Sequence, residues 1–544
     1  MSDTKKNSNF LLQGGILAIA GLITRFIGMI YRIPLTRIVG TEGMTYYNTA
    51  YEIYNMALLV STYSIPVAVS KLVSAKDSAG QYINSYKIFR VGMVLSGGIG
   101  FVVSSLLFIF ATPLATAMKW PSAAIPLKVL APTIFVFSIM GIIRGFFQGK
   151  KTMVPTAVSQ IIEQIFNAIF SIVAALLLIK ANKDTAEVAA YGAAGGTCGT
   201  LVGALFGLMF LVFIYSINSN YFTKKCLKDH TNEIDTNGEV AKAILLTMLP
   251  IILSQTIYQI SGLIDNYMFS EIMYGKGMSQ AEKAVLYEHY SNKYKWLYNL
   301  PVAIASAFGV TIVPVLSGHF REGNFEAIKA KIASSVKLNM IIAIPSAVGL
   351  SVLGGPIFLL LFKDSTDILS GRLMSLGGIA VVFFALSTLT NGVLQGINKL
   401  KVPVIHAAIS LGVHVIIVYV LVKVLDFSVY GMVIGNVTYG LLVCILNWIS
   451  IAKTLDYEQE IKTTFIIPLI SSLIMGAVAL GIYKGLFAVS HSNTIATLVA
   501  LVIAIIVFFA LELILKGVTK EELRGFPKGT TLVRIATKLH LLRE

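Results

Sequence analysis

The chain has 544 residues, of which 56% are hydrophobic and only 13% are charged, and its mean hydropathy is +0.78. Soluble domains carry roughly 25% charged residues, so this composition excludes a soluble globular protein. The three cysteines are widely spaced, which excludes a disulfide framework and a cysteine-based zinc site. A net charge of +16 is compatible with nucleic-acid binding, but its distribution along the chain indicates a membrane surface instead.

Apolar segments recur from one end of the chain to the other, each long enough to cross a hydrocarbon core of roughly 30 Å. They predict an all-α integral membrane protein with about fourteen transmembrane helices. The predicted spans are 10–34, 45–70, 88–112, 122–147, 153–180, 188–217, 242–270, 295–318, 334–362, 370–396, 402–423, 428–451, 463–487 and 493–515. An even number of spans places both termini on the same side of the membrane.

Lysine and arginine are distributed unevenly between alternate loops. The segments on the side of Met1 hold 28 of them, and the segments on the opposite side hold 12. Because cytoplasmic loops are enriched in lysine and arginine, this bias predicts that both termini lie in the cytoplasm. The same topology places Asn232 on the cytoplasmic side and Ser279 on the outer side.

An internal repeat relates two groups of six predicted spans. Three motifs recur in the same order at offsets of 235 to 247 residues, namely Tyr63–Val69 with Tyr298–Ile304, Gly145–Gly149 with Gly392–Gly396, and Tyr191-Gly192 with Tyr430-Gly431. The shared orientation predicts two parallel lobes related by an axis along the membrane normal. We place the first lobe at 1–217, a cytoplasmic linker at 218–241, the second lobe at 242–452, two further spans at 453–516 and a cytoplasmic amphipathic tail at 517–544.

Span 6 contains four glycines at intervals of four residues, from Gly195 to Gly207. Small residues at this spacing predict close packing against a neighbouring helix. The sequence contains no ATP-binding motif and no catalytic constellation. We therefore predict that the protein is not an enzyme and that an ion or substrate gradient, or a partner, supplies the energy.

Several charged residues fall within the predicted spans or at their ends. Arg25 and Arg32 lie in span 1, Glu52 in span 2, Glu163 in span 5, and Lys295 at the entry to span 8. Because a charge at the bilayer centre costs about 2.5–3.5 kcal/mol on insertion scales, such groups face a cavity or a partner. Two interpretations stay open for each of them: substrate binding, or an arginine–glutamate pair that joins two helices.

The two arginines of span 1 favour an anionic cargo. Arg25 and Arg32 are seven residues apart and therefore lie on one face of the helix. Two guanidinium groups on one face repel unless an anion or an acid lies between them, and arginine matches phosphate geometry with two parallel hydrogen bonds. We predict that Arg25, Arg32, Glu52, Glu163 and Lys295 contribute to substrate binding.

Asp265 is the candidate site for a coupling ion. It lies in span 7 beside Asn266, with further neutral oxygen donors on the same helix. A carboxylate among neutral oxygens suits a small hard cation or a proton, so we expect Na⁺ or H⁺ at Asp265 and no other cofactor. A hydrogen bond that serves only helix packing is the alternative.

Several motifs resemble one superfamily of membrane transporters. Thr24-Arg25-Phe26-Ile27-Gly28 resembles the first-helix motif of the bacterial lipid II flippases. Four further stretches resemble the sporulation stage V protein B branch, namely Arg32–Gly40, Ile65–Leu72, Arg144–Gly149 and Thr156–Gln164. Both groups belong to the multidrug/oligosaccharidyl-lipid/polysaccharide exporter superfamily, and the resemblance covers essentially the whole chain.

The resemblance implies two six-helix lobes and an alternating-access flippase of the bacterial cell membrane. Its cargo would be an undecaprenyl-diphosphate-linked sugar precursor, lipid II above all, for peptidoglycan or polysaccharide biosynthesis in growth or in sporulation. The resemblance assigns Arg25 to a cationic cavity, and it implies that spans 13 and 14 form a groove for the lipid tail. Arg32 is one residue out of register with the second arginine of the lipid II flippases.

The expected partners are a lipid-linked saccharide diphosphate and membrane lipid, with cell-wall synthesis proteins as further candidates, no nucleic acid, and a monomeric chain. Two alternatives compete with the flippase. A cation-coupled multidrug extruder of the same superfamily would use an acidic cavity, whereas span 1 carries arginines. A non-transporting scaffold for wall synthesis would not need charges inside the bilayer.

Overall fold

The computed structural model describes residues 2–231, 233–362 and 368–520, together with residues 522, 533, 534 and 537. Every regular element in these residues is helical, which confirms the predicted all-α class. Asn232 and most of the predicted tail at 517–544 lie outside the described residues. The described chain forms two compact units, Met1–Glu288 and His289–Glu544, whereas the lobe boundaries given above stay predictions.

The described residues of the first unit form nine α-helices. They are α1 (Ser2–Leu58), α2 (Ile65–Ser78), α3 (Tyr82–Ile109), α4 (Ala111–Ala117), α5 (Ala124–Gly149), α6 (Val154–Ala181), α7 (Val188–Cys226), α8 (Asn237–Gly275) and α9 (Gln280–Glu288). A π-helical turn at Leu59–Tyr63 joins α1 to α2. Helix α5 is central to the unit and packs against α2, α3 and α7.

The second unit contains eight α-helices within the described residues. They are α10 (Lys295–Arg321), α11 (Phe325–Phe362), α12 (Ile368–Gly377), α13 (Ala380–Gly396), α14 (Val402–Tyr419), α15 (Ser428–Leu455), α16 (Ile467–Ser490) and α17 (Asn493–Ile514). Spans 13 and 14 of the prediction correspond to α16 and α17, which pack against each other and against α11.

Each of the fourteen predicted spans falls on one or more of these helices. Among the described residues, ten helices are long and apolar enough to cross a membrane, or eleven if α12 and α13, bent by 48°, form one span. The multi-pass character is therefore clear, whereas the number fourteen stays a prediction. Part of the difference arises because Ile19–Leu58 counts as one apolar helix although the prediction divides it into two spans.

Helix α1 is interrupted at Gly40, between the first two predicted spans. The backbone of Gly40 has φ 75° and ψ 173°, a conformation that glycine adopts without the steric cost of a Cβ atom. Across this break, the Arg32 guanidinium donates a hydrogen bond to the amide oxygen of Asn48, sixteen residues later. The side chains on the two sides of Gly40 therefore contact each other, so α1 consists of two helical segments.

The predicted linker at 218–241 is largely ordered. Helix α7 extends to Cys226, and α8 begins with a capping box in which Thr236 and Glu239 satisfy each other's backbone N–H groups. The residues between these helices are bound to the α2–α3 corner, because Asp235 pairs with Lys76 at 2.6 Å and Asp229 accepts a hydrogen bond from the Ile83 amide at 2.8 Å. This loop is therefore part of the first unit.

The internal repeat is visible in matching helix ends. Helices α5 and α13 both end at the glycine of the repeated Gly-x-x-Gln-Gly motif. Two residues beyond each glycine, Lys151 and Asn398 adopt nearly the same left-handed conformation, with φ 61° and φ 62°. The next helices, α6 and α14, both begin with a proline in their first turn. The repeated sequence thus specifies the same helix–turn–helix geometry in each unit.

The glycine series of α7 packs directly against α6, as the sequence predicted. A Cβ atom added to Gly195 would lie 2.4 Å from the Ala175 backbone, and one added to Gly203 would lie 2.4 Å from the Glu163 carbonyl oxygen. These distances are well inside van der Waals contact, so a larger residue would force the two helices apart. Close packing of α7 therefore fixes α6 along the face that carries Asn167, Ser171 and the Glu163 carbonyl group.

Candidate functional site

A cavity of about 420 Å³ lies within the first unit. It is enclosed by α1, the π-helical turn, α2, α5 and α6. Its polar lining consists of an arginine, a glutamate, three glutamines and three threonines, and its apolar lining includes Leu58, Pro66, Val67 and Phe137. Ligand pockets are typically about 300–1,000 Å³ with a few convergent polar groups, so this cavity is a candidate binding site.

The polar residues converge because of helical spacing. Gln160, Glu163 and Gln164 lie at intervals of three and four residues on α6 and therefore occupy one face. Arg144 and Gln148 are four residues apart on α5 and face the same cavity. The repeated Gly-x-x-Gln-Gly motif begins directly after Arg144, so part of the cavity wall belongs to the duplicated sequence.

An ion pair between Arg144 and Glu163 crosses the cavity wall from α5 to α6. The Nη2 and Oε2 atoms are 2.9 Å apart, and the two side chains are only 11% and 14% exposed. The Nε atom of Arg144 also donates to the Ser159 hydroxyl at 3.0 Å. Glu163 thus lies in the candidate cavity, and its cationic partner Arg144 was not among the predicted site residues.

Arg25 lies next to this cavity on α1. Its neighbour Thr24 lines the cavity, and a Cβ atom added to Gly28, one turn further on, would lie 3.8 Å from the Gln164 side-chain oxygen. The Arg25 side chain is exposed in the structure. This position gives an anionic group access to the Arg25 guanidinium.

Arg32 lies in a different environment. Besides its hydrogen bond to Asn48, its guanidinium lies 5.6 Å from the centre of the Tyr47 ring, where the π electrons attract a cation. The Arg32 side chain is half-buried. The structure therefore places the two predicted arginines on one helix but with different exposure and different neighbours.

A polar network that includes Asn167 lies beside Arg32. The Asn167 amide donates to the Tyr31 hydroxyl at 3.4 Å, and its oxygen accepts hydrogen bonds from Ser171 at 3.0 Å and Thr200 at 3.4 Å. Asn167 is buried within α6, between α1 and α7. Its hydrogen bonds join these three helices, so Asn167 serves packing in the part of the molecule behind the cavity.

Glu52 is held by hydrogen bonds from α8 and α9. The Asn266 amide donates to Oε2 at 2.6 Å, and the Tyr287 hydroxyl donates to Oε1 at 3.0 Å. The Asn266 amide oxygen accepts the indole N–H of Trp120 at 2.8 Å, which fixes the orientation of the amide. The sequence analysis did not single out Tyr287 or Trp120, since neither carries a charge.

Asp265 lies beside this cluster and is 2% exposed. Burial raises the pKa of the Tyr287 hydroxyl, and the nearby charges of Glu52 and Asp265 raise that pKa further. The carboxylates of Glu52 and Asp265 thus both influence the pKa of the Tyr287 hydroxyl. Within the described residues, no group of three or more His, Cys, Asp or Glu side chains could hold a metal ion. A site at Asp265 would therefore combine one or two carboxylates with neutral oxygens.

Lys295, the last of the predicted residues, belongs to the second unit. It is the first residue of α10, and its ammonium lies 4.6 Å from the centre of the Tyr290 ring. The six predicted residues therefore lie in distinct surroundings. Glu163 lines the cavity and Arg25 lies at its edge, whereas Arg32 contacts Asn48 and Tyr47. Glu52 and Asp265 lie in or beside the cluster around Asn266, and Lys295 begins α10. Their role in binding stays a prediction.

An apolar groove of about 430 Å³ lies within the second unit. It is lined by α10, α11, α16 and α17. Its surface is formed by aliphatic and aromatic side chains and four glycine or alanine residues, with Ser346 as a polar member. Phe508 and Phe509 of α17 line one side, and Pro301 and Pro345 line the other. The groove thus involves the two C-terminal helices that the resemblance assigned to a lipid tail.

Comparisons with known proteins agree with this architecture. The model of the family described as polysaccharide biosynthesis protein matches residues 11–320, and the MatE family model matches residues 296–420. The lipid II flippase MurJ of Bacillus subtilis (strain 168) is 27% identical over 490 residues, covering 86% of this chain and 88% of that protein. Stage V sporulation protein B of the same organism is 23% identical over 522 residues, covering 95% and 98%.

Solved structures show the same fold. A lipid II flippase MurJ in an inward closed conformation has a TM-score of 0.67 at 17% identity, covering 91% of this chain and 97% of that one. An inward-facing multidrug resistance transporter of the MATE family has a TM-score of 0.63 at 16% identity, covering 80% and 94%. Both a flippase and a drug transporter therefore share the helical arrangement seen here.

Proposed function

Because the chain belongs to the polysaccharide biosynthesis protein family, we propose that it is a flippase for a polyprenyl-diphosphate-linked cell-wall precursor. The cargo is lipid II or a related lipid-linked saccharide, and it moves from the inner to the outer leaflet of the bacterial plasma membrane. Transport proceeds by alternating access of a monomer whose termini lie in the cytoplasm. No covalent chemistry is needed, and the relatives are transporters rather than enzymes.

The apolar groove of the second unit is the observation that carries this proposal. A polyprenyl chain is hydrocarbon throughout, and the groove offers it a continuous apolar surface along α11, α16 and α17. A polyprenyl chain that packs closely in this groove makes more dispersion contacts than it would make with fluid lipid. A small water-soluble cargo would have no use for this surface.

The diphosphate is assigned to the first unit. It carries about two negative charges, and Arg25 offers an exposed guanidinium beside the polar cavity. Arg32 contributes mainly to the conformation of α1 and to the electrostatic potential around it, because Asn48 and Tyr47 hold its guanidinium. Glu52 acts through the Asn266–Tyr287 cluster, and Lys295 supplies a cation in the second unit.

The energy source is assigned to Asp265. A cation or a proton that binds this buried carboxylate would remove a charge from the cluster around Asn266 and Glu52. Such a change alters the packing of α8 and α9 against α1, which is the kind of difference that biases a transporter between two states. The coupling ion is Na⁺ or H⁺.

A multidrug extruder of the same superfamily is the second candidate, favoured by the fold likeness to a MATE transporter. Extrusion of cationic drugs needs an available acid in a cavity. In the described first unit, Glu163 is paired with Arg144, and both oxygens of Glu52 accept hydrogen bonds. A scaffold for cell-wall synthesis proteins is the third candidate, and it requires neither the groove nor the cavity.

The test is translocation by the purified protein in proteoliposomes. Lipid II, a capsule-type lipid-linked saccharide and a cationic dye are assayed side by side, with empty liposomes as the control. We expect one or both lipid-linked saccharides to cross and the dye to remain. Movement of the dye alone would identify an extruder, and movement of none of the three would favour the scaffold.

The orientation is tested by cysteine labelling in a background without the three native cysteines. We expect Asn232→Cys to react only with a reagent applied from the cytoplasm and Ser279→Cys only with one applied from outside. The reverse result would invert the topology. Labelling of both positions from one side would disprove the predicted number of spans between them.

A further inference from the structure

The cavity of the first unit combines polar and apolar side chains and has no net charge. Arg144 and Glu163 are the charged side chains among the described residues that line it, and they neutralise each other at 2.9 Å. An anion that enters would face Glu163 as well as Arg144, and a cation would face Arg144 as well as Glu163. The cavity therefore suits an uncharged ligand better than the diphosphate.

Three glutamines provide unused hydrogen-bonding capacity in this cavity. In the described part of the chain, the side-chain amides of Gln148, Gln160 and Gln164 have no hydrogen-bond partner in the protein. Each amide offers two donors and one acceptor oxygen. Their number and their convergence on one cavity match a ligand that carries several hydroxyl or acetamide groups.

The remaining wall is apolar and offers a surface for C–H groups. Pro66 and Val67 of α2 and Phe137 of α5 contribute this apolar surface. A saccharide has the matching character, because hydroxyl groups surround its ring while the ring faces consist of C–H bonds. The volume of about 420 Å³ is within the range of sites that hold small molecules.

We propose that this cavity binds the uncharged saccharide head group of the transported lipid, separately from its diphosphate. The inference rests on the proposed function and deepens it, since it assigns recognition of the sugar to Gln148, Gln160 and Gln164. The Arg144–Glu163 pair positions the glutamines by fixing α5 against α6, and it keeps the site neutral. Arg25, at the edge of the cavity, then meets the phosphate groups.

The experiment compares two cargoes in proteoliposomes. One is a polyprenyl diphosphate that carries an N-acetylated disaccharide, and the other is the same polyprenyl diphosphate without sugar. We expect Gln160→Leu/Gln164→Leu to reduce the rate for the first cargo about tenfold, from the loss of two neutral hydrogen bonds, and to leave the second unchanged. Gln164→Asn should have an intermediate effect.

The matched control is Ile165→Ala, which alters the exposed face of the same helix, where Ile165 is 42% exposed. It should leave both rates at the wild-type level. Arg25→Ala serves as the opposite control, because it should slow both cargoes alike. If the double glutamine variant slows both cargoes equally, or neither, the cavity does not bind the sugar.

A binding measurement keeps this inference independent of the proposed function. Radiolabelled di-N-acetylchitobiose is equilibrated with the full-length protein in detergent, for the wild type and the glutamine variants. We expect saturable binding to the wild type and at least a tenfold weaker binding to the double variant, with unchanged elution in size exclusion. If the wild type moves neither lipid, the proposed function fails, and this measurement still decides the cavity. Equal binding by both proteins would overturn the inference.

Discussion

The cavity of the first unit and the groove of the second have nearly the same volume, about 420 and 430 Å³, but opposite linings. The cavity presents an ion pair, glutamines and threonines, whereas the groove presents aliphatic and aromatic side chains. Hydrogen bonds depend on direction, so the cavity can distinguish one head group from another. Apolar contact depends on area and shape, so the groove can accept chains of different length. Under the proposed function, an amphiphilic cargo is recognised by two different kinds of interaction.

The largest effect is expected from breaking the ion pair in the cavity wall. Arg144→Ala leaves the partly buried carboxylate of Glu163 without its partner; breaking a fully buried pair costs about 3–5 kcal/mol, which is the upper limit here. We expect a lower unfolding temperature of the purified protein and loss of transport. The groove should be unaffected, since it belongs to the other unit.

The charge-swapped protein Arg144→Glu/Glu163→Arg is the control for this prediction. It restores opposite charges between α5 and α6 and should recover part of the lost stability in the same thermal measurement. An Arg144→Ala protein as stable as the wild type would show that the pair is not needed for packing. The ion pair would then add no stability that distinguishes the cavity from the uncharged groove.

Variants of Arg25 test whether the diphosphate binds beside the cavity of the first unit. Losing a hydrogen bond to a charged group costs roughly 1.5–3 kcal/mol, or about ten- to a hundredfold in affinity. We therefore expect Arg25→Ala to reduce lipid translocation strongly while the protein still inserts and accumulates normally. Arg25→Lys should rescue only part of the rate, because lysine keeps the charge but loses the bidentate geometry.

Arg32→Ala is expected to be milder than Arg25→Ala, since Arg32 is already held by Asn48 and Tyr47. Translocation rates of the three variants, normalised to protein content, provide the measurement. Normal transport by Arg25→Ala would contradict the anion-binding role. A failure caused only by misfolding would make Arg25 a structural residue, to be examined by charge swaps with nearby acids.

The groove is tested by filling it without adding charge. Ile505 of α17 lines the groove and is 60% exposed, so Ile505→Trp places an indole where the lipid chain would lie. Changes of this size in an apolar pocket alter recognition roughly tenfold or more. We expect about a tenfold slower translocation of a long polyprenyl lipid and a smaller effect on a short-chain analogue.

Ile506→Trp is the matched control for the groove. Ile506 is 61% exposed and is the next residue of the same helix, but it is not part of the groove lining. It should leave translocation of both lipids close to the wild-type rate. Equal slowing by the two tryptophan variants would show that bulk on α17, rather than occupancy of the groove, limits transport.

The smallest change in the basal translocation rate is expected at Asp265, where the main change is in the dependence of transport on an ion gradient. Asp265→Asn removes the charge that we assign to coupling but retains a hydrogen-bonding side chain of nearly the same shape. We expect the dependence of translocation on the sodium or proton gradient to become flat, with a basal rate within a few-fold of wild type. A variant with full ion dependence would reduce Asp265 to a packing residue of the cluster around Asn266.

The fold was largely predictable because hydropathy and the internal repeat are properties of long segments. The predicted helices, the close packing of the α7 glycines and the break near Gly40 all follow from local composition and spacing. The number of spans was less predictable, since broken helices such as α12 and α13 cannot be recognised by length alone. The short helices α4 and α9 were also missed.

The candidate site was only partly predictable. Glu163 was identified because a charge in an apolar segment is conspicuous, but its partner Arg144 lies near a helix end and resembles an ordinary cytoplasmic cation. The glutamines carry no charge and were not predicted as site residues, although Gln148 belongs to the repeated motif and Gln160 and Gln164 to the family-like stretch Thr156–Gln164. Tyr287 reaches Glu52 only through the placement of α9, which depends on tertiary packing.

The close contact between α6 and α7 has a mechanical consequence. Because the Gly203 backbone packs directly against the Glu163 carbonyl group, α6 and α7 form one rigid pair, and Gln160 and Gln164 of α6 face the cavity from it. Other parts of the cavity wall contain the more deformable elements, namely the π-helical turn at Leu59–Tyr63 and the segment of α1 before the break at Gly40. We therefore expect opening or closing of the cavity to displace α1 and this turn relative to α6 and α7.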